Sequence, residues 1–422
     1  MRCTICSAAA PTERERSQMA TSSRSEDRDT TVTHMSAENK VRRHGPPQVF
    51  AALLLLLFLL QAGLFIANVP LTQAEGSSIL RGIALAHGTR DAAGRRSALA
   101  DEAAVIGIMP LALRTTGTVP LDPVTLDRYR WLVRAPFLIA GVLLGASVWY
   151  VSRRLYGNRG GYVAIGLYCF TPALVVRSSL AGPEIFGAWG AFGTVFTAIA
   201  VAHTLYAPRN ALLWNRKRIC LLGIAIGIMA GAQFSLILVL PLALAFMLWA
   251  VPERKGAALA ILVSACLVAL AFLWIVHGAS LTWLARSLMN AGWFAFSPAA
   301  LRGTLAGAVA SFYLREASAA AVLSVIAMVG YLLWPRARFF GNTAPLLVVL
   351  ELALFALLTP ATTGPTFLFY CLPFLIVFTA GVFADLFENR RCHAWAVAGA
   401  YSMILAQAGF SVVGLVHLAR GY

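Results

Sequence analysis

Thr171-Pro172-Ala173-Leu174-Val175-Val176-Arg177-Ser178-Ser179-Leu180-Ala181-Gly182-Pro183-Glu184 joins two strongly apolar runs, at about 161–177 and 184–205. A carboxylate beside hydrocarbon is expensive and tends to be kept there for a purpose. Glu184 opens the second run directly after Pro183. One reading is structural: a helix-start carboxylate favoured by the macrodipole behind a proline. The other is chemical: an acid, a base or a metal ligand at the mouth of a spanning helix.

Outward from this stretch the same pattern repeats. Apolar runs long enough to cross a bilayer lie at about 48–68, 132–152, 161–177, 184–205, 219–232, 234–251, 257–278, 317–335, 344–360, 366–386 and 393–417. The expectation is an all-α integral membrane protein with about eleven transmembrane helices. The fifth and sixth runs are separated only by Gly231-Ala232-Gln233-Phe234-Ser235. Composition agrees: 59% of the 422 residues are hydrophobic and 12% charged, against about 25% charged in a soluble domain. Mean hydropathy is +0.74.

The formal net charge is +16, but its placement argues against nucleic acid. Arg153, Arg154 and Arg159 follow the second run, and Arg209, Arg216, Lys217 and Arg218 the fourth. Arg254 and Lys255 follow the sixth, Arg336 and Arg338 the eighth, Arg390 and Arg391 the tenth. Short basic loops on every second connection mark the cytoplasmic side. With Lys40, Arg42 and Arg43 also inside, the N-terminus is expected to be cytoplasmic and residues 1–47 a disordered polar tail, followed by a polytopic membrane domain over 48–422. No cleavable signal peptide is expected, because the first apolar run begins only near Val49 and is long enough to span.

Two long loops then face outward, at about 69–131 and 279–316. The first is expected to carry an interfacial helix near 98–113, with Leu99, Ala103, Ile106 and Met109 on its apolar side and Asp101 and Glu102 on its polar side. The second has Trp283, Trp293, Phe296, Phe312 and Tyr313, which suit an interface, and Arg286, Arg302 and Arg315, which run against the charge rule. These arginines either hold a phosphate or headgroup, or are solvated in the loop.

The seven cysteines carry little. Cys3 and Cys6 form a lone C-x-x-C without a second pair, Cys392 lies in a basic loop, and the rest fall within apolar runs. This excludes an external disulfide framework and gives no zinc spacing. His203 and His277 sit near run ends without partners at metal spacing, and no G-x-S-x-G, P-loop or H-E-x-x-H occurs.

Eighteen carboxylates are present. Six lie in the tail and six in the first outer loop; Glu253, Asp385 and Glu388 sit at inner helix ends. Glu75 follows the first run and Glu184 opens the fourth. Two carboxylates at neighbouring helix mouths can divide acid and base roles, or hold a divalent metal through oxygen. Asp101 and Glu102 are further candidate substrate contacts beside their polar-face reading. Glu351 lies in the middle of the ninth run, where it is either a functional group or a protonated, bonded one.

Residues 135–205 resemble the membrane GT-C glycosyltransferases of the protein O-mannosyltransferase and aminoarabinose-transferase type, including dolichyl-phosphate-mannose-protein mannosyltransferases. The resemblance lies in Arg134-Ala135-Pro136, Arg153-Arg154-Leu155-Tyr156-Gly157, Thr171-Pro172 and Glu184. Pro172 to Glu184 keeps the length of a bacterial segment of the form Pro-Thr-Leu-Leu-Ala-His-Gly-x-Leu-x-Thr-Thr-Asp, with Arg177 at the His and Glu184 at the Asp. Glu75 is similar to the family's Asp-Glu loop, with Ala74 in place of the Asp. Gln233 stands where a Lys precedes Phe-Ser, and Thr366 where an upstream Arg is common. Leu372-Pro373-Phe374-Leu375 looks like a late helix of the family.

The resemblance implies sugar transfer from a polyprenyl-phosphate donor to a glycan, lipid or protein acceptor on the outer face, in a bacterial inner membrane facing the periplasm. It assigns Glu75 and Glu184 to catalysis, and Arg177 and Gln233 to the donor phosphate; a divalent metal is possible at Glu75 and Glu184. Partners would be the lipid-linked donor, membrane lipid and the acceptor, with no nucleic acid. Two other readings stand beside it. One is a transporter or flippase for a lipid-linked glycan, against which the lack of an internal repeat counts. The other is a catalytically degenerate GT-C scaffold.

Overall fold

A computed structural model describes residues 45–86, 98–110, 126–205, 211–289, 312–313, 316–359, 364–388 and 394–421. The chain divides into a unit Met1–Val49, described only from residue 45, and a unit Phe50–Tyr422, to which the following applies. Residues 1–44 of the expected 1–47 tail, and Arg302, Arg315, Trp293 and Phe296, lie outside the described residues, while Pro46 and Pro47 already belong to the first helix.

The described residues form helices and no strand. In chain order these are α1 (Pro46–Asn68), α2 (Gln73–Ala86), α3 (Ala98–Ile106), α4 (Arg130–Cys169), α5 (Pro172–Ser179), α6 (Glu184–Ala202), α7 (Ala211–Ala232) and α8 (Val239–Ala250). Then follow α9 (Lys255–Val276), α10 (Leu281–Met289), α11 (Ser318–Leu333), α12 (Phe340–Leu358), α13 (Gly364–Glu388) and α14 (Ala394–Gly421). Six apolar segments among them, in α1, α4, α6, α9, α12 and α13, are long and apolar enough to cross a membrane. Shorter apolar helices cover Phe234–Ala250, Ser318–Leu333 and Tyr401–Gly414. The protein is an integral membrane protein.

Burial sorts these helices. In α13, 94% of the apolar stretch is buried inside the protein, whereas α1 and α9 bury a third and turn the rest outward. A helix apolar all round belongs in the interior or in lipid; α13 takes the first place and α1 the second. α13 packs on α4, α12, α11 and α6, and α6 in turn packs on α7, α8 and α4. Gly190 of α6 lies directly against the Met229 backbone of α7. Helices in lipid associate through small residues that allow such close approach.

α4 is two helices. At Gly157 the backbone takes φ +74°, ψ −171°, a region open essentially only to glycine. The chain folds back there: the Tyr168 hydroxyl donates to the Gly141 carbonyl at 2.6 Å, the Tyr168 ring covers Gly145, and Gly161 lies against Arg153. Arg153 donates to Asn158 Oδ1 at 2.9 Å across the turn. The two halves are the second and third apolar runs, and the basic loop is the turn between them.

The third run is not continuous to 177, as the sequence reading had it. Helix ends at Cys169, and α5 starts afresh at Pro172. Pro172 has no N–H for the Tyr168 carbonyl and its ring crowds that position, while Thr171 before it is held extended at φ −88°, ψ 112°. Carbonyls freed in hydrocarbon must be met by neighbours. Gln61 of α1 donates to Cys169 O at 3.2 Å, and Gln407 of α14 donates to Phe170 O at 3.2 Å. Thr171 donates to Leu167 O at 2.6 Å.

The expected interruption between the fifth and sixth runs is present. α7 ends at Ala232, Gln233 is extended (φ −153°, ψ 112°), and a 3-10 turn over Phe234–Leu238 leads into α8. α7 begins earlier than expected and carries Arg216, Lys217 and Arg218 on its opening turns. Helices of both long loops reach this break: Leu99 of α3 abuts Gly231, and Leu284 of α10 packs with Ala230 and Phe234.

The first-loop helix differs from the amphipathic expectation. α3 covers Ala98–Ile106, buries Ala100, Asp101, Ala103, Ala104 and Val105, and leaves Ile106 61% exposed. It packs against α2, α4 and α7, so tertiary contacts, not a water–lipid boundary, choose its inward face. Asp101 is turned inward because Arg81 of α2 meets it at two points, Nε–Oδ2 2.9 Å and Nη2–Oδ1 3.0 Å.

Candidate functional site

Glu75 lies in the first turn of α2, where Thr72-Gln73-Ala74-Glu75 forms a capping box. The Thr72 N–H donates to Glu75 Oε2 at 2.9 Å and the Glu75 N–H donates to Thr72 Oγ1 at 3.3 Å. Helix geometry thus turns this carboxylate back toward the chain that leaves α1. There it meets Arg134, from the start of α4, at Nε–Oε1 2.8 Å and Nη2–Oε2 2.7 Å. Arg134 is fully buried, and Glu75 is 3% exposed. The guanidinium also donates to Val69 O and Pro70 O at 2.8 and 2.9 Å.

Two further donors complete the carboxylate. Thr72 Oγ1 donates to Oε2 at 3.0 Å, and the Ala181 N–H donates to Oε1 at 2.8 Å. Counting both Arg134 nitrogens, the Thr72 amide and hydroxyl, and the Ala181 amide, five donors meet about four lone-pair positions. Burial raises the Glu75 pKa, but the Arg134 hydrogen bonds and charge, with the Ala181 and Thr72 amides, outweigh it and hold the group below its ordinary value. A carboxylate so committed has no lone pair left for a metal, and its low pKa makes it a weak proton acceptor.

Glu184 sits differently. It begins α6, where the helix N-terminus favours negative charge. Its Oε1 accepts from Arg177 Nη1 of α5 at 3.0 Å, and the two side chains keep 19% and 34% exposure. Oε2 carries no bond among the described residues and lies against Gly182. The pair spans the 180–184 connection, the segment whose Ala181 amide is fixed by Glu75.

Beside the pair lies Tyr370 of α13. Its hydroxyl donates to Gln233 Oε1 at 2.8 Å, and Gln233 Nε2 donates to Ser235 Oγ at 2.7 Å. The Tyr370 ring rests on Gly187, one turn beyond Glu184; a Cβ there would fall 2.9 Å from the ring and from its hydroxyl oxygen. Arg177, Glu184, Gln233, Ser235 and Tyr370 therefore make one polar cluster, drawn from α5, α6, the 233–238 break and α13.

Of the residues singled out in sequence, Arg177 and Glu184 pair directly, Gln233 reaches the same helix through the Tyr370 ring on Gly187, and Glu75 is tied to the 180–184 connection through Ala181. Asp101 is committed to Arg81, and Glu102 is half-buried on α3. Glu351 lies mid-way along α12, with Oε2 buried and without a partner among the described residues. His277 bonds a carbonyl of its own helix through Nδ1, at 2.8 Å from Leu273 O. No group of three or more His, Cys, Asp or Glu suited to a metal occurs among the described residues. With Glu75 occupied, Glu75 and Glu184 do not fit together as a divalent-metal ligand set.

Two participants escaped the sequence reading. Arg134 entered it only as part of a motif, although Thr-x-x-Glu was a legible sign that Glu75 faces backward. Tyr370 left a weaker sign: a buried phenol needs an acceptor, and the polar Gln233 at the break was the nearest unassigned one.

Residues 126–277, from just before α4 to the end of α9, match the family model described as dolichyl-phosphate-mannose-protein mannosyltransferase. That stretch contains Arg134, Arg177, Glu184 and Gln233. Two solved structures share the fold. The Archaeoglobus fulgidus oligosaccharyltransferase in its apo form superposes with TM-score 0.55 at 14% identity over 86% of this chain. The chain has the GT-C fold. The second structure, the oligosaccharyltransferase AglB from Archaeoglobus fulgidus with an inhibitory peptide and a dolichol-phosphate, gives TM-score 0.52 at 13% identity over 87% of this chain. The chain spans about half the length of those proteins, 55% and 56% respectively. No curated protein matches it significantly.

Proposed function

We propose that the GT-C chain transfers a sugar from a polyprenyl-phosphate-linked donor to an acceptor on the non-cytoplasmic face of the membrane. The observation that carries this reading is the partly exposed Arg177–Glu184 pair at the start of α6, inside the stretch that matches the mannosyltransferase family. The alternating basic loops support the outward orientation; a bacterial inner membrane with a periplasmic active face fits the segment pattern from Pro172 to Glu184.

In the reaction, the acceptor oxygen attacks the anomeric carbon and its proton passes to Glu184. The bond from that carbon to the phosphate oxygen breaks, and the electron pair leaves with the polyprenyl phosphate. The departing group gains negative charge, so a guanidinium fixed beside it lowers the barrier. Arg177 supplies that charge in planar, two-point form, and Gln233 adds an N–H. Glu75 does not act as base in this scheme. It holds the 180–184 connection, and with it Glu184, as a positioning residue.

The test is transfer of label from a panel of polyprenyl-phosphate sugars by purified protein. Wild type should transfer at least one sugar, and Glu184→Gln should not; equal rates would remove Glu184 from the mechanism. The occupied state of Glu75 favours one competing reading, a scaffold that has lost catalysis. Donor binding without transfer in wild type and Glu184→Gln alike would select it.

A further inference from the structure

We infer that Tyr370 is a positioning residue for the donor phosphate: its hydroxyl holds the Gln233 side-chain amide so that an N–H of that amide is presented to the phosphate. The inference rests on the polyprenyl-phosphate reading of the Arg177–Glu184 site.

A side-chain amide has two unlike ends. Its NH2 donates and its oxygen only accepts, so turning the oxygen toward a phosphate is repulsive. A glutamine can serve an anion only if something else takes the oxygen. The Tyr370 hydroxyl does so at 2.8 Å. Tyr370 is fully buried in α13, and a buried phenol must donate its proton; Gln233 Oε1 is the partner it has among the described residues. Ser235 takes one N–H of Nε2 at 2.7 Å. The second N–H carries no bond among the described residues, and Gln233 is only partly buried. The extended backbone at Gln233, between α7 and the 3-10 turn, aims this side chain across to α13 instead of along a helix face. Gly187 leaves the Tyr370 ring room beside the first turn of α6, the helix that Glu184 opens.

The experiment is binding of undecaprenyl monophosphate, which carries no sugar, to the full chain in detergent. Tyr370→Phe, Gln233→Ala and the double variant are measured beside wild type, with thermal unfolding of each. Tyr370→Phe should weaken binding about tenfold, the size expected for one hydrogen bond to a charged group. In the Gln233→Ala background the same change should add nothing, because the amide it orients is gone. Additive losses, or wild-type affinity in Tyr370→Phe, overturn the inference while leaving the donor reading in place. Absence of binding in wild type overturns the donor reading and the inference with it. If Tyr370→Phe does not fold, Gln233→Glu reads the same contact: it keeps an acceptor for Tyr370 and removes the N–H donors. It should bind the phosphate at least tenfold more weakly, and unchanged affinity refutes the orientation argument.

Discussion

The Ala181 amide donates to the Glu75 carboxylate at 2.8 Å, three residues before Glu184. Through this bond the start of α2, the start of α4 and the connection into α6 share one buried ion pair. The Glu75 carboxylate thereby fixes the segment that carries Glu184.

Breaking that pair from one side should cost stability. Removing one partner of a buried, hydrogen-bonded ion pair leaves an uncompensated charge and costs about 3–5 kcal/mol. Arg134→Met and Glu75→Gln should each lower the detergent unfolding temperature. The double variant Glu75→Gln with Arg134→Met should lie closer to wild type than Arg134→Met alone, because the stranded charge is gone. A double variant as unstable as the sum of both changes contradicts this.

The same pair sets an acid limit. In the folded protein the Glu75 carboxyl is held below its ordinary value. A depressed carboxylate contributes stability that is present above the unfolded value and lost as pH falls through the folded one. The gap in unfolding temperature between wild type and Glu75→Gln should be constant above about pH 5 and close as the pH drops further. Unfolding curves at successive pH values measure it, and a gap that widens on acidification reverses the sign.

Arg177 should not tolerate lysine. A guanidinium meets a carboxylate and a phosphate with a planar fork, which an ammonium cannot reproduce. Arg177→Lys should weaken undecaprenyl phosphate binding about tenfold or more with little change in unfolding temperature, since the pair is partly exposed. Equal binding by both would show that point charge alone suffices.

Gly157→Ala should be destabilising by about 1–3 kcal/mol, the cost of forcing a Cβ into a conformation that glycine alone adopts freely. No neighbour lies within 4 Å of a Cβ there, so the loss would be one of backbone strain. An unfolding temperature equal to wild type refutes it.

Gly187→Ala tests the floor under Tyr370. The new methyl would meet the ring at 2.9 Å, and overpacking of this kind costs about 1–3 kcal/mol. Donor-phosphate affinity should fall as well, as the ring and its hydroxyl move off Gln233. Intact affinity would separate the ring's placement from the function of Gln233.

Much of this architecture is legible in the chain. The apolar runs locate the long helices, and Gly231-Ala232-Gln233-Phe234-Ser235 marks a real break because two polar residues, Gln233 and Ser235, interrupt hydrocarbon. Pairings across the chain are not legible in the same way. Arg81 and Asp101 are 20 residues apart, Glu75 and Arg134 are 59 apart, and Tyr370 and Gln233 are 137 apart. Helical periodicity reports which face is apolar and is silent about which charge answers which. From the sequence Asp101 therefore reads as water-facing, whereas Arg81 draws it inward. Pro172 carried its message plainly, but the run around it was apolar enough to hide the break.

That break has a temporal meaning. The Phe170 carbonyl is met by Gln407, which follows it by 237 residues. Until α14 has entered the membrane, this carbonyl has no such donor, however early its own helix was inserted. Gln407 also receives the Ser318 hydroxyl and the Ala319 amide at the start of α11. One late-arriving amide thus closes joints made at two earlier stages of synthesis. The part of the molecule that holds the Arg177–Glu184 pair waits, unfinished at its proline break, for a helix from the far end of the sequence.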